Sequence, residues 1–227
     1  MAMKTIPPYR MPDAADVPPA TLPWRPRPDR AAVLVHDMQR YFLRPFTRGR
    51  SPFNELMTNT RILLTAARRA EVPVMYTAQP GGMTREERGL LYDLWGPGMS
   101  VAETDRGIAA EIAPQPGETV LTKWRYSAFY RSDLEERLRR SGRDQLIICG
   151  VYAHVGCLMT VCEAFTRDIQ PFLVADALAD FSLEDHVMAL RYAARRCAVP
   201  LSTAETTMWL QTQPATSSAP SSASEAE

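Results

Sequence analysis

Six short apolar runs punctuate the chain between residues 31 and 201, and stretches of helical periodicity separate them. The runs are Ala31–His36, Val72–Thr77, Thr119–Thr122, Gln145–Cys149, Pro171–Ala175 and a weaker Ala198–Leu201. Within most of them apolar residues occupy consecutive positions rather than alternate ones, the pattern of strands covered on both faces. Between them, residues 54–71 carry Leu56, Ile62, Leu63, Ala66 and Ala67, and residues 133–141 carry Leu134 and Leu138 four apart. Residues 183–196 follow Ser182, a predicted N-cap with Asp185 three residues on. Strands alternating with helices through short loops predict an α/β fold, a parallel sheet with helices on both faces.

The flanks read differently. Residues 1–30 hold eight of the 19 prolines. Proline fixes φ and removes a donor, so an extended arm packed on the domain is expected, with Tyr9 and Trp24 as candidate anchors. The domain itself is expected over 31–210. From Gln211 to Glu227 the composition collapses to small and polar residues, which predicts a disordered tail.

Composition narrows the partners. Lys+Arg and Asp+Glu balance at 26 each, so net charge gives no reason to expect nucleic acid or an anionic membrane surface. No apolar run approaches the roughly 20 residues needed to span a bilayer. The first residues, Met1–Pro8, lack the apolar core of a signal peptide, and a cytoplasmic location is expected. The four cysteines, 149, 157, 162 and 197, form no C-x-x-C pair and read as reduced, structural thiols.

In open parallel sheets, ligands bind outside the carboxyl ends of the strands. The polar residues that follow the apolar runs are therefore the candidates for chemistry. They are His36 and Asp37, Gln79, Lys123, the turn Gly150–Gly156, and Asp176 with Asp180. Read alone, Asp37 could equally be a helix cap, Lys123 a surface lysine, and Arg88 the partner of Glu86 or Glu87. Trp124 and Phe129 read as packing residues. His36, His154 and His186 are far apart in sequence and lack the spacing of a metal site, so no metal or other cofactor is expected.

The same residues lie in long motifs. Val35-His36-Asp37-Met38-Gln39-Arg40-Tyr41-Phe42 resembles the first motif of the isochorismatase family. Thr77-Ala78-Gln79-Pro80, Gly89-Leu90-Leu91 and Trp95-Gly96-Pro97-Gly98 resemble its second block, and Lys123-Trp124-Arg125-Tyr126-Ser127-Ala128-Phe129 its third. Gly150-Val151-Tyr152-Ala153-His154-Val155-Gly156 resembles the fourth; Asp168–Phe172 and Asp176–Ser182 complete the set. The resemblance runs over about residues 5–210, nearly the whole chain. It implies a Rossmann-like sheet of about six strands, a homodimer, and a site related to the Asp, Lys and Cys triad of cysteine amidohydrolases. Asp37 and Lys123 match the first two members as catalytic residues; Gly156 stands where the nucleophilic thiol would be, a departure shared by family members that hydrolyse vinyl ethers. The resemblance also implies that Phe42, Gln79, Arg88, Trp95, Tyr152 and Gly156 line the substrate pocket, and that the Val151–Tyr152 peptide is cis.

A vinyl ether has no acyl carbon that needs a nucleophile. Its slow step is protonation of the enol CH2 carbon, which calls for a carboxylic acid at Asp37. Lys123 is expected to bind a substrate carboxylate, and Gly156 to make room for the substrate ring. Two substrates compete. The stretches 82–91 and 40–45 resemble the phenazine-pathway members, which convert 2-amino-2-deoxyisochorismate to trans-2,3-dihydro-3-hydroxyanthranilate and pyruvate. The alternative is isochorismate, hydrolysed to 2,3-dihydroxy-2,3-dihydrobenzoate and pyruvate in siderophore biosynthesis, whose enzymes often carry an aryl carrier domain after the hydrolase. A short low-complexity tail in that place favours the amino substrate. A cysteine amidohydrolase using Cys157, one residue beyond the motif position, is the remaining alternative.

Overall fold

The computed structural model describes residues 5–211 of the chain. Six strands form one sheet, all parallel. They are β1 (Ala31–His36), β2 (Val74–Ala78), β3 (Thr119–Thr122), β4 (Gln145–Val151), β5 (Gln170–Ala179) and β6 (Val199–Leu201), ordered β3-β2-β1-β4-β5-β6. The helices are α1 (Arg40–Leu43), α2 (Phe53–Arg69), α3 (Arg85–Arg88), α4 (Leu90–Trp95), α5 (Glu103–Arg106), α6 (Leu134–Arg140), α7 (Leu158–Thr166), α8 (Leu183–Arg196) and α9 (Thr203–Gln211).

The continuous apolarity of the strands has a two-sided cause. Along β1, Val33 and Val35 join a core layer with Leu56, Leu63, Leu64 and Ala67 of α2. Ala32 and Leu34 point the other way, into a layer built with Leu134 and Leu138 of α6, Val161 of α7 and Leu190 of α8. Every residue of β1 and of β4 is buried. Ser182 caps α8 as its sequence predicts, its side chain accepting from the Asp185 N–H.

The proline-rich segment lies against this body. The Ile6 N–H donates to the Pro45 carbonyl at 2.9 Å and Thr21 N–H to Ala194 at 3.0 Å. The Tyr9 hydroxyl accepts from the Asp180 N–H at 2.7 Å, and the Trp24 ring lies 6.2 Å from that of Phe165. A disordered tail is expected over Gln211–Glu227. Gln211 still belongs to α9, whose Leu210 is buried, and the rest of that tail lies outside the described residues. No helix of the described residues is long and apolar enough to cross a membrane.

Strand order reverses direction between β1 and β4. In an open parallel sheet the crevice at the carboxyl ends of two such strands is where ligands bind. His36 ends β1 opposite Gly150 of β4, so the sheet delivers Asp37 and Tyr152 to the two sides of that crevice.

Candidate active site

Asp37 takes the first position after β1 with φ +52°, a left-handed backbone that aspartate tolerates better than most residues. Its carboxylate is buried and collects three donors. The Thr77 hydroxyl donates to Oδ1 at 2.6 Å, the Lys123 ammonium to Oδ2 at 2.9 Å, and the Gln79 amide to Oδ2 at a long 3.5 Å. The Asp37 N–H in turn donates to Thr77 Oγ1 at 3.0 Å. Lys123 follows β3 and is 2% exposed, so the pair is enclosed. Gln39 braces the loops around it, donating to the carbonyls of Gln79 and Arg106 and accepting from the Gln79 N–H.

Two opposing forces act on the Asp37 carboxyl. Burial pushes its pKa up, because a charge is poorly solvated there. The Lys123 ammonium above all, with the Thr77 hydroxyl and the neighbouring His36, more than offsets this and holds the carboxyl below its ordinary range. In the free protein Asp37 is therefore a carboxylate at neutral pH.

Above this pair opens a cavity. The eight residues that the resemblance places in the site line it: Asp37, Phe42, Gln79, Arg88, Trp95, Lys123, Tyr152 and Gly156; His36, Asp176 and Asp180, which also follow apolar runs, do not. The Val151–Tyr152 peptide that leads into it is cis. Tyr152 stacks on Phe181 with centroids 4.2 Å apart, and its hydroxyl donates to the Phe42 carbonyl at 2.6 Å. Trp95 stacks on the same Phe181 at 5.9 Å and donates from Nε1 to the Tyr126 hydroxyl at 2.8 Å. Aromatic faces thus make the walls, and charge is confined to the floor and to Arg88.

Arg88 does not pair with Glu86 or Glu87, and no salt bridge forms to it among the described residues. Its guanidinium is buried, bonds from Nε to the Gly96 carbonyl, and packs against the backbone of Gly98. A Cβ at Gly98 would stand 2.5 Å from Nη1, so glycine is needed for the guanidinium to seat. Burial lowers the Arg88 pKa, but a guanidinium keeps its charge at any physiological pH. A buried cation without a carboxylate, facing a cavity, is suited to an anionic ligand.

The sequence reading missed several groups. Tyr41, Leu91, Tyr126, Val151, Val155 and Phe181 also line the cavity. Tyr126 and Phe181 lie inside the quoted motifs, and their aromaticity was the available signal. Thr77 could have been found from β1–β2 pairing, which brings the end of β2 beside Asp37. One expectation is corrected. Gly156 lines the cavity, but the volume of its missing side chain does not pass to the ligand, because the His36 ring occupies it: a Cβ there would lie 2.3 Å from His36 Cε1. Cys157 does not face the cavity; it is fully buried in the layer of α6, α7 and α8, and burial raises its thiol pKa well above the ordinary range. His154 pairs with Asp180 at 2.8 Å and is tied into structure.

A buried acid–lysine pair at the topological switch of a parallel sheet, under an aromatic cavity that no cysteine among the described residues lines, has the form of a hydrolase site of the acid–lysine kind without a nucleophilic thiol. An isochorismatase domain matches residues 31–205, and the chain belongs to the isochorismatase family. It is 55% identical over 201 residues to the phenazine biosynthesis protein PhzD of Pseudomonas fluorescens, covering 88% of this chain and 96% of that protein. It is 52% identical over 215 residues to the isochorismatase of Bacillus subtilis, covering 95% of this chain and 69% of that one. Among solved structures, a cysteine hydrolase from Pseudomonas syringae superposes with a TM-score of 0.75 at 25% identity, over 85% of this chain and 97% of the other.

Proposed function

We propose that this protein hydrolyses the vinyl ether of 2-amino-2-deoxyisochorismate, releasing pyruvate and trans-2,3-dihydro-3-hydroxyanthranilate. The observation that carries the reading is the Asp37–Lys123 pair at 2.9 Å on the floor of a cavity lined by Gly156 and by no cysteine. The 55% identity to a phenazine biosynthesis protein supports the amino substrate. The 52% identity to an isochorismatase favours isochorismate as the second reading.

Asp37 delivers a proton to the enol CH2 carbon, and the positive charge that develops is shared with the ether oxygen as an oxocarbenium ion. Water adds to the cationic carbon and loses a proton, and the hemiketal collapses by breaking its bond to the ring oxygen. Pyruvate and a ring alcohol leave, so one water is consumed and the proton returns. Because Asp37 is ionised in the free protein, it has to gain its proton as substrate binds. Carboxylates of the substrate placed against Lys123 and Arg88 weaken the field that holds Asp37 charged, and burial then favours the neutral acid. Trp95, Tyr152 and Phe181 hold the ring and keep bulk water from the cation.

A homodimer and a cytoplasmic location belong to the same reading. Met188 and Tyr192, one turn apart and both exposed on α8, offer an apolar contact to a second copy. The function is tested by following pyruvate release from both compounds, with Asp37→Asn as control. Release faster from the amino compound and abolished in the variant is expected. Undiminished release in Asp37→Asn rejects the mechanism, and release from isochorismate alone selects the second reading.

A further inference from the structure

The place where a nucleophile's side chain would stand is filled. A Cβ on Gly156 would lie 2.3 Å from Cε1 of His36 and 3.1 Å from both ring nitrogens. The ring has nowhere to retreat. His36 is fully buried, its Nδ1–H donates to the Val151 carbonyl at 2.9 Å, and Nε2 lies 3.3 Å from Thr160 Oγ1. Thr160 is itself fixed, donating to the Gly156 carbonyl at 2.7 Å and accepting from the Ala128 N–H at 3.0 Å. Burial lowers the pKa of the ring to about 4, so the imidazole is neutral at physiological pH. The ring does not line the cavity, but Nδ1 lies 3.9 Å from Asp37 Oδ2.

We propose that His36 is the residue that commits this pocket to thiol-free chemistry: its imidazole occupies the seat of the nucleophile's side chain beneath Gly156 and, from the same position, backs the carboxylate of Asp37. Reaction type is then set by a pair of residues, His36 and Gly156, and not by the glycine alone. A cysteine placed at 156 cannot take up the nucleophile's position while the ring is there. His36 is a positioning residue. It reaches no substrate atom and acts through Asp37 and the turn after β4. The proposal rests on the vinyl-ether reading for its catalytic half; the steric half stands on packing alone.

The pair has a diagnostic sign. Gly156 has no positive φ and lies in a helical turn, and glycine to alanine in such backbone ordinarily stabilises by restricting the unfolded chain. Here the added methyl collides with a pinned ring. The experiment is a thermal-unfolding cycle on the full chain with Gly156→Ala, His36→Val and the double variant, alongside kcat and KM for pyruvate release. In the wild-type background Gly156→Ala is expected to lower Tm by ~3 °C or more. In the His36→Val background the same change is expected to leave Tm unchanged or raise it. If His36→Val does not fold, His36→Asn serves in the cycle, since its amide can still donate toward the Val151 carbonyl while its side chain is smaller. In turnover, His36→Val is expected to lower kcat at least ~10-fold with KM within ~2-fold, because Arg88 and Trp95 are untouched, and His36→Asn is expected to recover part of that loss. Additive Tm changes, a Gly156→Ala protein as stable as wild type, or unchanged kcat in the folded His36 variants would each overturn the proposal. If the wild type releases no pyruvate from either compound, the functional reading fails while the Tm cycle still decides whether the ring closes the seat.

Discussion

Replacing Lys123 by methionine separates the two forces acting on Asp37. The pair is enclosed, with Asp37 4% and Lys123 2% exposed, and its Nζ–Oδ2 distance is 2.9 Å. Methionine keeps most of the volume and removes the charge. The carboxylate would retain the Thr77 hydroxyl at 2.6 Å and the distant Gln79 amide, which do not replace an ammonium. Breaking a buried pair in this way costs about 3–5 kcal/mol when the remaining charge has to stay buried. Asp37 has an escape, which is to bind a proton, and this makes the cost depend on pH. In the wild type the folded carboxyl titrates below its unfolded value near ~3.9, so its stabilisation is complete above that value and lost as pH falls through the folded pKa. In Lys123→Met the largest force opposing burial is gone, and the folded pKa is expected to lie above the unfolded one. The neutral acid then stabilises the fold at low pH, and that benefit is lost as pH rises through the folded pKa. The stability difference between the two proteins is therefore expected to be small at pH 4.5 and to grow toward ~3–5 kcal/mol at pH 8. Guanidinium unfolding at fixed protein concentration and pH 4.5, 6 and 8 measures it. A difference that is the same at all three pH values refutes the account of Asp37 as a buried acid kept charged by Lys123.

Other outcomes follow from the same geometry. The kcat/KM for pyruvate release is expected to fall as pH rises through neutrality, since the free protein holds Asp37 ionised and a proton must be taken up; a kcat/KM that rises over pH 6–8 contradicts this. Arg88→Met is expected to raise KM by ~10–100-fold with a smaller effect on kcat, matching the ~1.5–3 kcal/mol of a charged hydrogen bond to a ligand carboxylate, and an unchanged KM removes Arg88 from recognition. Iodoacetamide at pH 8 is expected to label Cys162, which is half-buried with its thiol pKa lowered by the contact with Cys197, while turnover persists. Loss of turnover in step with labelling would instead indicate a thiol enzyme.

The parts of the fold that were legible in the chain are those whose physics is local. Runs such as Leu146-Ile147-Ile148-Cys149 announce a strand buried on both faces, and Ser182 with Asp185 announces the start of α8, because both patterns repeat within a few residues. Helices α3, α4 and α5 were not legible: at four to six residues each, none completes two turns, so no 3.6-residue stripe can develop. The threonine-rich α9 is also unmarked, having no apolar stripe and packing through Thr203, Thr206 and Leu210. In the site, Asp37, Lys123 and Gln79 were visible because each follows an apolar run. Neither Thr77, quoted only within a motif, nor His36, named only as a polar residue following an apolar run, was given a role, since their importance arises between strands. Thr77 matters only because β2 lies beside β1, and His36 only because β4 returns alongside β1 to bring Gly156 over its ring.

The long connection between β2 and β3 carries Arg88, Leu91 and Trp95 to the cavity, while its outer side leaves Leu90, Leu94 and Val101 exposed. The acid and the lysine come instead from the ends of β1 and β3, anchored in the sheet. The Asp37–Lys123 pair is thus rigidly embedded, while part of the cavity wall is draped across the opening and meets Tyr152 and Phe181, which follow β4 and β5. For an engineer, substitutions at Leu91 or Trp95 within the draped stretch reshape one wall of the cavity and leave the Asp37–Lys123 pair in place.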